Sequence, residues 1–208
     1  MSRRAIAVSL TATALGLSGL AVANAAETDL HPGDYKLDPS HSYAHFEIDH
    51  MGLSTMHGRM DVQDGHIRIG ESLSTSQVKV SLDPSSVDTG DDARDQHLRE
   101  MPGFFDVEKY PKIQFESTAL EIDDDDPSEA TLEGRLTLHG QTRPVTLDVD
   151  HIACRVNPLD KSRYTCGFTA STEIQRSDFG MNAYPKLVGD RVELAIEVEA
   201  NKPAETDS

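Results

Sequence analysis

The sequence predicts an all-β domain: a closed antiparallel β-barrel of about eight strands, with one short helix and a long loop near its mouth. Three observations carry that expectation. Apolar residues recur with period two through almost every apolar stretch, turn signals separate those stretches, and a single segment, Asp91–Glu100, reads as a helix.

In Tyr43–His50, Ala44, Phe46 and Ile48 alternate with Tyr43, His45, Glu47 and Asp49. Val78, Val80 and Leu82 alternate with Lys79 and Ser81, and Ile113 and Phe115 with Gln114 and Glu116. The same pattern runs through Val145, Leu147 and Val149, then Tyr164, Cys166, Phe168 and Ala170, and finally Val192, Leu194, Ile196 and Val198. Each strand therefore has a dry face and a wet one. A parallel sheet covered on both sides would show continuous apolar runs instead, so the pattern points to an antiparallel barrel or sandwich, and a count of about eight to ten strands suits a closed barrel.

Turn chemistry agrees with this reading. Asp64-Gly65 reads as a two-residue hairpin between Met60–Gln63 and His66–Ile69. His139-Gly140-Gln141-Thr142 joins strands at Leu132–Leu138 and Arg143–His151. Asp123–Ser128 is a solvated loop, and Asp38–Ser42 shapes the turn into the second strand. In the helix, Asp91 or Asp92 caps the N-terminus and Arg99 sits where the dipole favours a cation. Pro102-Gly103 ends it. Arg94 and Asp95 read as a pair that pins the helix to the barrel.

Residues 1–25 read as an export signal: Arg3 and Arg4, the apolar stretch Ala5–Val22, and the cleavage site Ala23-Asn24-Ala25. Flexible tails are expected at 26–33 and 201–208, around a single domain at 34–200. The chain carries 19 basic and 36 acidic residues. Cleavage removes two of the former and none of the latter, leaving 17 against 36 and a net charge of −19. That charge repels nucleic acid and anionic lipid surfaces, so neither is an expected partner. No stable membrane insertion is expected either. Cys154 and Cys166 flank a polar loop, and export places them in an oxidising compartment. A disulfide across a hairpin is expected, worth about 3 kcal/mol through loop closure.

No motif carries catalysis. The chain has neither a GxSxG elbow nor a CxxC pair, and Asp38, Ser40 and His41 are too close in sequence to converge as a triad. Two of the scattered histidines, His41 and His45, would stand about 13 Å apart along a strand, too far to share one metal ion. No metal, cofactor or catalytic residue is expected. What is left over is apolar. Met101, Phe104, Phe105, Val107 and Tyr110 lie on a connection of about thirty residues, and loops of that length are often lids. Phe179-Gly180-Met181 through Tyr184-Pro185 is expected to line the same mouth.

The run TGDDARDQHLREMPGFFDVEKYPKIQFEST at Thr89–Thr118 is the most distinctive in the chain. With it go LTLHGQTRPVTL at Leu136–Leu147, RSDFGM at Arg176–Met181, YKLDPSHS at Tyr35–Ser42 and FEIDHMG at Phe46–Gly52. Together they resemble the YceI-like family of periplasmic, lipocalin-like barrels, in matching order over about residues 34–200. The resemblance implies a long apolar ligand: a polyisoprenoid, an isoprenoid quinone or a fatty amide. Its lining would be Phe46, Ile48, Val80, Leu82, Phe115, Leu136, Leu138, Phe168 and Ile174, with Phe104, Phe105 and Met181 at the mouth. Negative charge disfavours a buried diphosphate unless Arg94, Arg135, Arg143 or Arg176 neutralises it. The expected role is periplasmic transport or storage by a protein that is not an enzyme. The alternatives are a filled envelope barrel serving structure or stress, and an enzyme acting on an isoprenoid lipid through His97 or His139. Exposed barrel edges would allow pairing into a homodimer.

Overall fold

The computed structural model describes residues 30–72 and 75–204; the export signal expected at residues 1–25 lies outside them. Among the described residues the strands are β1 (Gly33–Leu37), β2 (Tyr43–His50), β3 (Ser54–Ile69), β4 (Gln77–Leu82), β5 (Ile113–Ile122), β6 (Ala130–Leu138), β7 (Gln141–Val156), β8 (Arg163–Gln175) and β9 (Val188–Pro203). An α-helix, α1 (Asp92–Glu100), interrupts them between β4 and β5. Among the described residues no helix is long and apolar enough to cross a membrane.

Antiparallel pairing runs in the order β3-β2-β9-β8-β7-β6-β5-β4, and β4 pairs back onto β3 to close an eight-stranded barrel. β1 fills the gap beyond the start of β2. It pairs with the second half of β3, from Gly33↔Ile69 to Lys36↔His66, and with the end of β9 at Leu37↔Ala200. The corner between β1 and β2 is tied down by Ser42, fully buried. Its hydroxyl donates to the Asp38 carbonyl (2.7 Å) and accepts from the Glu199 N–H (3.1 Å). The Asp38 carboxylate accepts from the Ser40 hydroxyl (2.6 Å) and N–H (3.0 Å). The Ser40 hydroxyl above all, with lesser help from His41, holds that carboxyl below the usual carboxylate range.

Asp64-Gly65 is not a hairpin. A two-residue turn of that kind needs positive φ at both central residues, and neither residue has it. β3 instead runs straight through, and Gln63 is the extra residue of a bulge between Val62↔Leu82 and Asp64↔Ser81. Strands on both edges, β1 and β4, keep this stretch extended. Further bulges interrupt β5 between Ser117 and Ala119 and β7 between Val149 and His151. Each shifts the inward-facing set by one residue, so that Val149 is followed inside by Ile152, and Val62 by Ile67. The long strands thereby bend around the barrel while their apolar side chains stay within it. The β6–β7 turn is tighter than expected. His139 and Gly140, with φ of 50° and 72°, suffice, and Gln141 and Thr142 belong to β7.

Parts of the segments expected as tails carry strand and pack against the barrel. Gly33 opens β1, and Asn201–Pro203 complete β9. Residues 30–32 cross the barrel end remote from α1. There His31 stacks on Tyr164 at 4.7 Å, the Tyr35 hydroxyl donates to the His31 carbonyl (2.7 Å), and Lys202 Nζ donates to the Pro32 carbonyl (2.8 Å). Cys154 and Cys166 lie directly opposite each other on β7 and β8, near this same end, and form the expected disulfide with S–S 2.09 Å.

Replacing both cysteines by serine is expected to lower the unfolding free energy by about 3 kcal/mol. Urea titration reads this directly, and an unmoved midpoint refutes it. Asp38→Ala should cost about 1 kcal/mol at neutral pH, as for other lost caps. The folded carboxyl titrates below its unfolded value of 3.8, so its contribution is intact above that value and fades as pH falls through the lower folded one. The stabilities of variant and parent should therefore converge in acid, and a gap that persists there would contradict the assignment.

Candidate ligand cavity

The inward side chains line a cavity of about 410 Å³ whose wall includes Leu30 as well as His97 and Tyr184. Every side chain proposed from sequence as lining stands on its wall. Phe46 and Ile48 come from β2, Val80 and Leu82 from β4, and Phe115 from β5. Leu136 and Leu138 come from β6, Phe168 and Ile174 from β8, and Phe104, Phe105 and Met181 from the loops at the mouth. The wall also includes Met60, Val62 and Ile67 of β3, Ile152 of β7, and Leu194 and Val198 of β9, which sequence reasoning left out. Reading Asp64-Gly65 as a turn hid the β3 set. Ile152 falls out of phase with Val149 because of the bulge. Leu194 and Val198 were legible in the alternation itself.

An eight-stranded barrel has barely enough bore to avoid being filled by its own side chains. Two glycines help to keep it open. The Phe46 ring lies across Gly58 and the Phe115 ring across Gly134, so closely that a Cβ at either glycine would come within 2.3 Å of the ring. Both rings thus lie along the wall rather than across the lumen, and the chain contains no tryptophan.

At the mouth, α1 begins with the Asp91 carboxylate accepting from the Arg94 N–H (2.8 Å). Arg94 and Asp95 do not pair directly, as the sequence suggested; both act through Thr89. Buried Asp95 accepts from the Thr89 N–H (3.0 Å) and hydroxyl (2.5 Å). Arg94 Nε donates to the same hydroxyl (2.7 Å), and Nη2 to the Thr89 carbonyl (2.8 Å). The long loop folds back on the helix through Phe105 N–H to Leu98 carbonyl (3.0 Å) and Val107 N–H to Arg99 carbonyl (2.9 Å). This seats Phe104 against the rings of His97 and Tyr184 at 5.8 and 6.1 Å.

The second mouth loop is held by a buried cation. Arg176 Nε donates to the Gly189 carbonyl (2.7 Å), Nη1 to that of Met181, and Nη2 to those of Ala183 (2.8 Å) and Val188 (3.0 Å). Burial lowers its pKa from the ordinary arginine value and Asp190 opposes that shift; the guanidinium remains charged. Sequence offered no signal for this role beyond an arginine at the head of an apolar loop. His139 joins the two loops from outside the cavity, its Nδ1 3.1 Å from the Phe179 carbonyl oxygen and its Nε2 3.0 Å from that of Pro102. Arg135 and Arg143, offered as partners for a diphosphate, are exposed on the outer surface. Next to the mouth, the turn carrying Met51 and Leu53 is bonded to the loop carrying Tyr184 and Leu187 through Met51 N–H to Leu187 carbonyl (2.7 Å). All four side chains are exposed, Leu53 to 80%.

Among the described residues no group of three or more histidine, cysteine or carboxylate side chains converges to hold a metal. The polar side chains in the wall are few, and the Thr172 hydroxyl, toward the end of β8, donates to the Thr146 carbonyl (2.7 Å). Such a wall can take an apolar chain out of water and orient its end at the mouth.

Known proteins of this form fit the description. The YceI-like domain matches residues 35–200. A UPF0312 protein of Pseudomonas aeruginosa is 34% identical over 202 residues, covering 96% of this chain and 98% of its own. Protein YceI of Escherichia coli is 35% identical over 169 residues, covering 80% and 85%. Among solved structures, a Campylobacter jejuni YCEI protein superposes with a TM-score of 0.62 at 26% identity, over 74% of this chain and 89% of its own. Burkholderia cenocepacia BcnA shares the fold with a TM-score of 0.63 at 19% identity, over 78% and 98%. So does a polyisoprenoid binding domain from Saccharophagus degradans, with 0.58 at 18%, over 83% and 100%. With its closed barrel, its apolar lumen and this match in sequence, the chain belongs to the YceI-like family.

Proposed function

We propose that this protein is an exported, periplasmic carrier that shelters a long apolar chain, most simply a polyisoprenoid or a molecule with an isoprenoid tail, for transport or storage. The observation that carries the proposal is the lumen: one cavity, walled by aliphatic and aromatic side chains from Leu30 to the mouth. The polyisoprenoid binding described for the Saccharophagus degradans domain supports the choice of ligand. Export rests on the signal read at residues 1–25, and the Cys154–Cys166 disulfide agrees with an oxidising compartment.

The energetics are adequate without covalent chemistry. Removing about 500 Å² of a ligand's apolar surface from water is worth roughly 12 kcal/mol. After several kcal/mol of ordering cost, about 8 kcal/mol remains, which corresponds to micromolar affinity. The exposed lip of Met51, Leu53, Tyr184 and Leu187 gives an entering chain an apolar surface to cross before it reaches the lumen.

Native mass spectrometry of protein purified gently from its own host should show a stoichiometric apolar adduct. Leu136→Trp, which fills the lumen from β6, should abolish that adduct while the β-sheet circular dichroism is retained. Repeatedly empty spectra, with no uptake of an added prenyl chain, would remove the carrier reading in favour of a filled structural barrel.

A further inference from the structure

We infer that the exposed lip beside the mouth is a docking face for a zwitterionic lipid bilayer, on which the protein settles reversibly. The inference rests on the carrier reading for the cargo and adds the surface at which that cargo is exchanged.

Among the described residues six large apolar side chains are exposed, and four of them, Met51, Leu53, Tyr184 and Leu187, form this one lip. Its backbone is built rather than loose. Met51 and Gly52 turn the chain with φ of 62° and 66°, and the Asp49 carboxylate accepts from the Gly52 N–H (2.9 Å). The Met51 N–H donates to the Leu187 carbonyl (2.7 Å) and the Leu53 N–H to that of His50 (3.1 Å). Leu187 and Val188 N–H groups both donate to the Tyr184 carbonyl, each at 2.9 Å. The donors at the tip are therefore satisfied within the protein, which is what entry into an apolar layer requires. Tyr184 is exposed and also stands in the cavity wall, so lip and lumen share a side chain.

Charge identifies the occupant. The chain carries 36 acidic residues, yet the two stretches that make the lip, HMGLSTMH at 50–57 and FGMNAYPKLVG at 179–189, contain none. Their one formal charge is that of Lys186, which is exposed. By contrast Leu159, 96% exposed, is followed directly by Asp160 and Lys161. A bilayer surface offers the lip an apolar layer for its leucines and phosphate oxygens for the lysine. The acidic remainder of the molecule is repelled by an anionic bilayer, so the surface is zwitterionic. Exposed Asp92 and Glu100 keep α1 in the water beside it. A protein partner fits less well, because each side of a stable complex contributes about 20–30 residues. So small an apolar face also holds the protein only briefly, and a carrier has to leave with its cargo.

The test uses the mature protein and vesicles of phosphatidylcholine. Co-sedimentation should show binding that weakens as anionic lipid is added. Leu53→Asp should reduce it about tenfold and Leu159→Asp by no more than about twofold, since binding scales with the apolar area inserted. The chain has no tryptophan, so Leu53→Trp and Leu159→Trp each introduce a single fluorophore. Vesicles should shift the emission of the first to the blue and leave the second unmoved, a readout that stands even if the aspartate variant does not fold. Absence of binding at millimolar lipid, or equal losses from the two aspartate variants, would overturn the inference. So would a concentration-dependent dimer dissolved by Leu53→Asp, which would give the lip to a second copy of the chain. An apolar adduct in native mass spectra without vesicle binding would remove this inference and leave the carrier reading intact. Vesicle binding by a protein that never takes up a prenyl chain would support the docking face and remove the carrier.

Discussion

β4 hydrogen-bonds to β3 as well as to β5, and through that contact the sheet has no open side along which its core could spread. Side chains on the inner face must converge on one axis, and an apolar residue there can neither be shed to solvent nor moved without opening two ladders. The other features follow from that closure. The bulges in β3, β5 and β7 exist because strands of such length cannot wrap a narrow barrel without bending. β1 is required because β2 is too short to complete its stave beside the far halves of β3 and β9. The segment at residues 30–32 and the Cys154–Cys166 bridge then seal and brace that far end.

The mouth is built differently. Its two loops bury Phe104, Phe105, Phe179 and Met181, and each is in addition fixed by a polar anchor. Thr89 gathers Arg94 and Asp95 around a single hydroxyl, and Arg176 collects carbonyls from a loop that has no regular structure of its own. Buried groups of this kind add little to net stability, since their desolvation offsets what they gain. What they provide is a single geometry. Phe104, Phe105 and Met181 consequently face the lumen, although no strand directs them there.

Much of this was legible in the chain. Alternation in β2, β4, β8 and β9 assigned the inner faces, and the capping aspartate marked the start of α1 because a side-chain oxygen three residues before a free N–H is a local signal. The Asp64-Gly65 error arose because a turn dipeptide states only what the backbone can do; pairing with β1 and β4 decided otherwise. The residues just past each bulge were hidden for a related reason, since a register shift depends on the neighbouring strand and leaves no mark on its own. The candidate wall was largely readable because its chemistry is the same as that of a core. The anchors were not. Thr89 and Arg176 are ordinary surface letters until the fold brings carbonyls and a carboxylate around them.

Gly58 and Gly134 have a consequence beyond packing. Each sits beneath a phenylalanine ring that would have to swing toward the axis if the glycine gained a methyl group. The calibre of the tube is thus governed by two positions that lie behind its lining. A side chain at either would narrow the bore while every residue of the wall stayed the same, so in the proposed carrier the girth admitted is set away from the contact surface itself.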